Sequence, residues 1–559
     1  MTADLAGARG TRSARGGSAR DGSARGGPTF LDDLRRRADE RGGHAALVAR
    51  RAADGASDVL DYAGLARLVD RYAAALGGLG VRPGDHVAVQ LPNRWEVVPL
   101  TFACFAVGAV VVPLQPDTPE DGLRHRLAAT SARVCVTTPE WDGRPVAPVV
   151  AGLRAELPAL RHVLVVGGAG GVAPDRALPD GAVDFHSRFG GLDSARTPAP
   201  RPNGAEPAPL APGDPAVVLF TSGTTGAPKG VAHSQDSLRA ALLGYAGALG
   251  LDDRWVVAVT SPLVHYSGFA QGFLAAALVG GTVLVQDVKD PDALLDQVHE
   301  HRATMLYGPP TTAAAIVAAQ RARPRDVSSV ERFVIGTAAV PRSLVEDVRD
   351  VLGARAHSLW GLSEFGPITL TRPDDPWDAP ATSHGRVVDG MAVRIDPTGL
   401  PGDGSIGRLW TRGASSALGY HGRQDVFDAQ LDDDGWFDTG DLAQADGRGG
   451  IRIVCRAEDA VVKRGRVVPA VTVEAVLRAH PDVEDAVVVG IGSSGAEEVL
   501  LAVVVAAAGR TSTAGALRGH VAAEGLAEEF VPERVEFVDA LPRTLTGKVR
   551  KAELRALFR

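Results

Sequence analysis

Sulphur and aromatic residues are scarce in this chain: 559 residues hold three cysteines, three methionines and 5% Phe, Trp and Tyr. Cys104, Cys135 and Cys455 stand far apart with no metal-ligand spacing. That argues against a zinc ribbon or a disulfide framework and reads as thiols of a reducing, cytoplasmic compartment. Excess positive charge is missing as well. Lys and Arg number 59 against 67 Asp and Glu, a net charge of −8, where a general nucleic-acid binder would carry a basic footprint. No membrane span is expected. Val97 to Leu114 is almost wholly apolar, but Pro99 and Pro113 bracket it and Gly108 interrupts it, so it reads as a core helix followed by a buried strand. Residues 1–27 lack the apolar stretch of a secretory leader. Their loose Arg, Gly, Ser and Ala repeats, such as Gly17-Ser18-Ala19-Arg20, cannot bury apolar surface and are expected to be disordered.

What remains is ordinary for a globular protein, 45% hydrophobic and 23% charged, and long enough for more than one domain. From Phe30 onwards helix and strand patterns alternate. Tyr62, Leu65, Leu68, Val69, Tyr72 and Leu76 recur at helical spacing, and His86–Leu91 reads as a strand. Further strands are expected around Val134–Val136, Val256–Val259, Thr282–Val285, Thr304–Leu306 and Phe333–Ile335, with a helix over Phe269–Leu278. This alternation predicts an α/β fold with largely parallel sheets.

The densest chemistry lies in Thr221-Ser222-Gly223-Thr224-Thr225-Gly226-Ala227-Pro228-Lys229-Gly230. An apolar strand, Ala216–Phe220, leads in, and Ser234 opens a helical pattern beyond. Glycines let successive backbone N–H groups turn towards one anion, and the hydroxyls and the Lys229 ammonium add donors. This is a phosphate cradle, although not a Walker A loop, which requires glycine before the lysine and Ser or Thr after it. Four later segments carry further candidate chemistry. Gly336-Thr337-Ala338-Ala339 follows a strand and is small enough for a flat ring to approach. Trp360-Gly361-Leu362-Ser363-Glu364 sets a carboxylate beside a hydroxyl, a donor set suited to a hard cation such as Mg²⁺. Asp441, in Gly435–Leu442, offers two acceptors that suit the vicinal hydroxyls of a ribose. Lys548 closes Leu541-Pro542-Arg543-Thr544-Leu545-Thr546-Gly547-Lys548 near the C-terminus. By contrast, the His299-x-His301 pair sits in a charged helical stretch and reads as a solvated face.

These segments, in this order, resemble the signatures of the adenylate-forming superfamily: acyl-CoA synthetases, adenylation domains and luciferases. The resemblance implies a large N-terminal region (28–455) of α/β subdomains with mostly parallel sheets and a small β-region, then a small mobile α+β lid (456–559). It implies ATP, Mg²⁺ and CoA, with the phosphates on Thr221, Ser222, Gly223, Thr224, Thr225, Gly226 and Lys229, and the adenine by Thr337, Ala338, Trp360 and Gly361. Ser363 would lie near the α-phosphate, Glu364 and Thr221 at the metal, and Asp441 and Arg456 at the ribose. Lys548 stands in the place of the catalytic lysine and Glu458 in that of the interdomain hinge. The chain departs from the family with Trp360 for the usual Tyr, Ser363 for Thr, Cys455 for Gly and Val462 for Lys.

For the acid, amino-acid-activating relatives place an Asp at the start of the segment corresponding to Ser261–Gly268. Here that segment resembles those of acyl- and aryl-CoA ligases, so an α-amino acid is disfavoured. The acyl group would then lie against His265, Ser267, Gly268, Gly336, Ala338 and Gly361, although His265 also reads as a packed core histidine. The implied reaction is activation of a carboxylic acid as acyl-AMP with release of pyrophosphate, then transfer to the CoA thiol. The alternative is a stand-alone adenylating enzyme that serves a separate carrier protein or another nucleophile.

Overall fold

The computed structural model describes residues 3–6, 27–51, 54–167, 178–198, 208–221, 228–492, 498–543 and 549–559. Two large mixed sheets dominate. The first has eight strands, in the order Ala182–Asp184, His162–Val165, Val134–Thr137, His86–Gln90, Val110–Pro113, Pro215–Phe220, Gly230–Ser234, Gly419–Tyr420. Its first six strands run parallel, and Gly230–Ser234 and Gly419–Tyr420 each turn antiparallel to their neighbour. The second has nine strands around the parallel run Arg355–Leu362, Arg332–Gly336, Met305–Gly308, Val256–Val259, Thr282–Gln286, Ala45–Arg50. The expected alternation is therefore present. Near-continuous apolar strands such as Val110–Pro113 and Thr282–Gln286 are buried throughout, as parallel strands covered on both faces must be.

The apolar stretch after Glu96 is the helix Val97–Ala106 followed by Val110–Pro113. Among the described residues no helix is long and apolar enough to cross a membrane. Glu96 is fully buried where that helix begins, held by Arg94 at 2.9 Å and by His186 at 3.2 Å. The two partners outweigh the cost of burial, so the carboxyl is held below its usual range.

A third sheet is antiparallel: Ala3–Ala6, Met391–Asp396, Ile406–Gly413, Phe437–Ala445, Ile451–Arg456. Its outermost strand comes from the tail expected to lack structure. Met391–Asp396 otherwise offers an open edge of backbone donors and acceptors, which any extended segment can pair. After the 3-10 turn Ala457–Asp459, a smaller unit packs Ala470–Arg478 and Ala514–Ala523 on the sheet Val483–Ile491, Val499–Ala506, Arg534–Phe537. Leu442, Val454 and Cys455 share its apolar cluster.

Burial holds His86, His233, His357 and His384 neutral, each lowered to about 4. Nδ1 of His384 also accepts the Ile453 backbone N–H, a bond that protonation would break. Unfolded, each would titrate near 6.5, so the unfolded chain binds more protons between these values and stability must fall as pH falls from 6.5 towards 4. The expected result is a melting temperature that drops steeply over that window. His384→Asn, which keeps an acceptor but cannot titrate, should flatten the slope; one such group is worth about 3 kcal/mol.

Candidate active site

The phosphate loop bridges two antiparallel strands rather than a strand and a helix. Its base is closed by the Thr221 backbone N–H donating to the Lys229 carbonyl at 2.9 Å, and Phe220 pairs with Gly230. At Gly230 a side chain would meet the Val218 side chain at 2.7 Å, so glycine is the residue that fits after the lysine without repacking. Ser234 then caps the helix Gln235–Leu249 through the Ser237 N–H, as expected from the sequence. Ser222, Gly223, Thr224, Thr225 and Gly226 lie outside the described residues.

Lys229 does not stand alone. Its ammonium lies 4.9 Å from the ring centre of Tyr420, on a strand that pairs with the one leaving the loop. The Tyr420 hydroxyl donates to Glu364 Oε1 at 2.7 Å. Burial, then the Glu364 carboxylate, push the phenol far above its usual pKa, so it stays a donor. One buried ring thus touches both the loop lysine and the carboxylate of the Trp360–Glu364 segment. His233 adds a second tie: Nδ1 pairs with Ser237 Oγ at 2.9 Å and Nε2 with the Ser363 carbonyl at 2.7 Å.

The other end of the same segment reaches a different partner. Trp360 Nε1 donates to Asp441 Oδ2 at 3.1 Å, and Arg456 approaches Oδ1 at 3.2 Å. Arg456 also donates to the Thr439 carbonyl, and Thr439 Oγ1 accepts the Asp441 backbone N–H. A register shift between Trp360 and Gly361 turns the chain here, as bulges beside functional sites do. A side chain at Gly361 would run into the Gly366 carbonyl, so only glycine allows the shift. Trp360, Ser363, Glu364, Asp441 and Arg456 are therefore brought together with Thr221 and Lys229 by five consecutive residues.

Gly336 ends a strand next to Leu359, and Thr337 and Ala338 are exposed beyond it. Thr337 has φ of 72°, an outlier for a β-branched residue and the kind of strain that functional sites hold. In the segment expected to face the acyl group, Asn93 clamps the Ser261–Leu263 turn, donating to the Ser261 carbonyl at 3.0 Å and accepting the Leu263 N–H at 2.7 Å. His265 Nδ1 pairs with Ser267 Oγ at 3.0 Å, and the Tyr307 hydroxyl is buried beside Ser261 and Ser267. The helix expected at Phe269 starts as a π-helical stretch, Ser267–Leu274, before regular turns resume at Ala275. Gly268 packs so close to the Pro262 carbonyl that no side chain fits, and the widened turns accommodate that approach.

Lys548 lies outside the described residues; Arg543 and Val549 on either side of its loop form a β-bridge. Exposed Glu458 lies in the turn Ala457–Asp459, where Asp459 pairs with Arg555 of the last helix at 2.5 Å. His299 bonds the Asp326 carbonyl at 3.0 Å, and among the described residues no three His, Cys, Asp or Glu side chains gather as a metal site. Glu364 and Thr221 fit Mg²⁺ as hard oxygen donors, since this ion takes few protein ligands and completes its shell with phosphates and water. Sequence reasoning missed Tyr420, Asn93, His233 and Tyr307.

The sequence pattern of the AMP-binding enzyme family matches residues 34–421, and that of the AMP-binding enzyme C-terminal domain matches 472–548. A 3-[(3aS,4S,7aS)-7a-methyl-1,5-dioxo-octahydro-1H-inden-4-yl]propanoyl:CoA ligase of Mycobacterium tuberculosis is 34% identical, over 95% of this chain and 98% of its own. A feruloyl-CoA synthase of an Amycolatopsis species is 33% identical over 89% and 94%. The solved amide bond synthetase of Marinactinospora thermotolerans superposes with a TM-score of 0.78 at 28% identity, covering 95% of this chain and 99% of that one.

Two outcomes are expected. Tyr420→Phe keeps the ring beneath Lys229 but removes the bond to Glu364, and should slow pyrophosphate release from ATP about 10- to 100-fold. Thr337→Gly relieves the positive φ and should raise stability by about 1 kcal/mol in denaturant titrations.

Proposed function

The chain belongs to the AMP-binding enzyme family, and from that premise we propose that it is an ATP-dependent carboxylate–CoA ligase whose acid carries a ring. One observation carries the nucleotide half of this reading. The Trp360–Glu364 segment joins Asp441 and Arg456 at one end to Tyr420 and Lys229 at the other. That arrangement suits a nucleotide with its ribose at the first end and its phosphates at the second. The acyl half draws on the ring-bearing acids of the two CoA-ligase relatives, and on the hydroxyls of Ser261, Ser267 and Tyr307 beside His265.

In the reaction, a carboxylate oxygen attacks the α-phosphorus, the bond to the bridging oxygen breaks and pyrophosphate departs. The CoA sulphur then attacks the acyl carbonyl and AMP leaves. Lys229 and the loop hydroxyls hold the β- and γ-phosphates, and the Tyr420 ring gives the ammonium a place to rest between turnovers. Thr221 and Glu364 would hold Mg²⁺, which when bound screens the phosphate oxygens. Positioning and electrostatics thus do most of the work. Lys548 bridges carboxylate and α-phosphate in the first step. Rotation of the lid, residues 456–559, about Glu458 then withdraws it and opens the site to the thiol. The amide bond synthetase likeness favours one second reading, in which an amine takes the acyl group in place of CoA.

The test is pyrophosphate release with MgATP across aryl, alicyclic and fatty acids, with and without CoA and with candidate amines, the products read by mass spectrometry. An acyl-CoA of a ring acid is expected. An acyl-AMP that CoA leaves untouched but an amine consumes would replace the lead reading with the second. Lys548→Ala should cut adenylate formation at least about 100-fold while sparing thiolysis of a supplied acyl-AMP; equal loss of both steps would remove Lys548 from its assigned role.

A further inference from the structure

We propose that Trp360 is a positioning residue through which this enzyme reads the ribose hydroxyls of its nucleotide. The inference rests on the reading above, in which Asp441 accepts those hydroxyls. Asp441 is 5% exposed, and its two carboxylate oxygens are engaged from two sides, Oδ2 by the Trp360 indole N–H and Oδ1 by Arg456. Its backbone is pinned as well: the Asp441 N–H donates to Thr439 Oγ1 at 3.1 Å, and that hydroxyl donates to the Leu409 carbonyl at 2.7 Å. Two charge-assisted contacts on opposite oxygens fix the plane of a carboxylate, and a fixed plane fixes where its lone pairs point. The bulge after Trp360 directs the indole to Asp441, and Gly361 makes the bulge possible.

An aromatic ring that only stacked on a base would need no donor at this place. The usual Tyr carries its one donor at the far tip of the ring, on the ring axis, whereas the indole N–H lies off that axis, on the flank of the side chain. From the same backbone position the two cannot make the same bond. The departure from Tyr to Trp therefore adds a contact to the ribose acceptor.

The test pairs the residue with the hydroxyl it is said to serve. Dissociation constants for ATP, 2′-deoxyATP and 3′-deoxyATP are measured by calorimetry on the full chain as wild type, Trp360→Phe and Trp360→Tyr. Trp360→Phe is expected to weaken ATP about 5- to 30-fold while changing at least one deoxy analogue less than about twofold, so that the preference for the ribonucleotide collapses. Trp360→Tyr, the family's usual residue, should behave like Phe and serves as the second variant if Phe does not fold. Equal weakening of all three nucleotides, or a Tyr variant that keeps the full preference, overturns the inference and leaves the ligase reading standing. Wild-type chain that binds no adenine nucleotide and releases no pyrophosphate overturns both.

Discussion

Five residues, Trp360 to Glu364, must satisfy two partners at once, and the candidate site is built around that demand. The first donates to a buried carboxylate on the antiparallel sheet; the last accepts from a buried phenol on the eight-stranded sheet. The segment itself leaves the end of a strand of the nine-stranded sheet. Three sheets are therefore held in mutual register by two polar contacts and the irregular turn between them. One partner of each contact, Asp441 and Tyr420, is buried while the other is half-buried, so the buried partner is the one that is costly to leave unpaired.

How far the chain's own letters reveal this depends on the range of the interaction. The parallel strands are legible because burial on both faces writes itself as short apolar runs, as in Val256–Val259 and Thr282–Gln286. The helix Tyr62–Gly78 is legible through its period. The phosphate loop stands out because hydroxyls, glycines and a lysine seldom gather without a ligand. Tyr420 does not stand out, because its importance comes from a two-residue strand that pairs with Val231 and Ala232 far away in sequence. Asn93 is hidden for the same reason: its partners, Ser261 and Leu263, are brought to it by a different sheet. Trp360 was visible as a departure, but the bond it makes was not, since the bulge that directs it depends on Gly366 across the strand pair.

The π-helical start of Ser267–Leu274 is a similar case. Its residues carry an ordinary helical pattern, and the wider turns begin where Gly268 packs against the Pro262 carbonyl. Local propensity and tertiary demand conflict there, and the tertiary demand prevails where the Ser261–Gly268 segment meets its helix. Thr337 shows the same order of priority in its backbone. Such conflicts gather at sites because a ligand surface is shaped by what must approach it rather than by what the chain prefers.

Gly268 and Gly361 set a boundary on how the candidate site can be remade. Neither position has room for even one carbon, because each faces a backbone carbonyl rather than a movable side chain. Any side chain placed at either position must displace backbone before it can reshape what lies around it. Tyr307 and His265 differ in kind, since the Ser261 and Ser267 hydroxyls lie beside the Tyr307 hydroxyl and Ser267 Oγ pairs with His265.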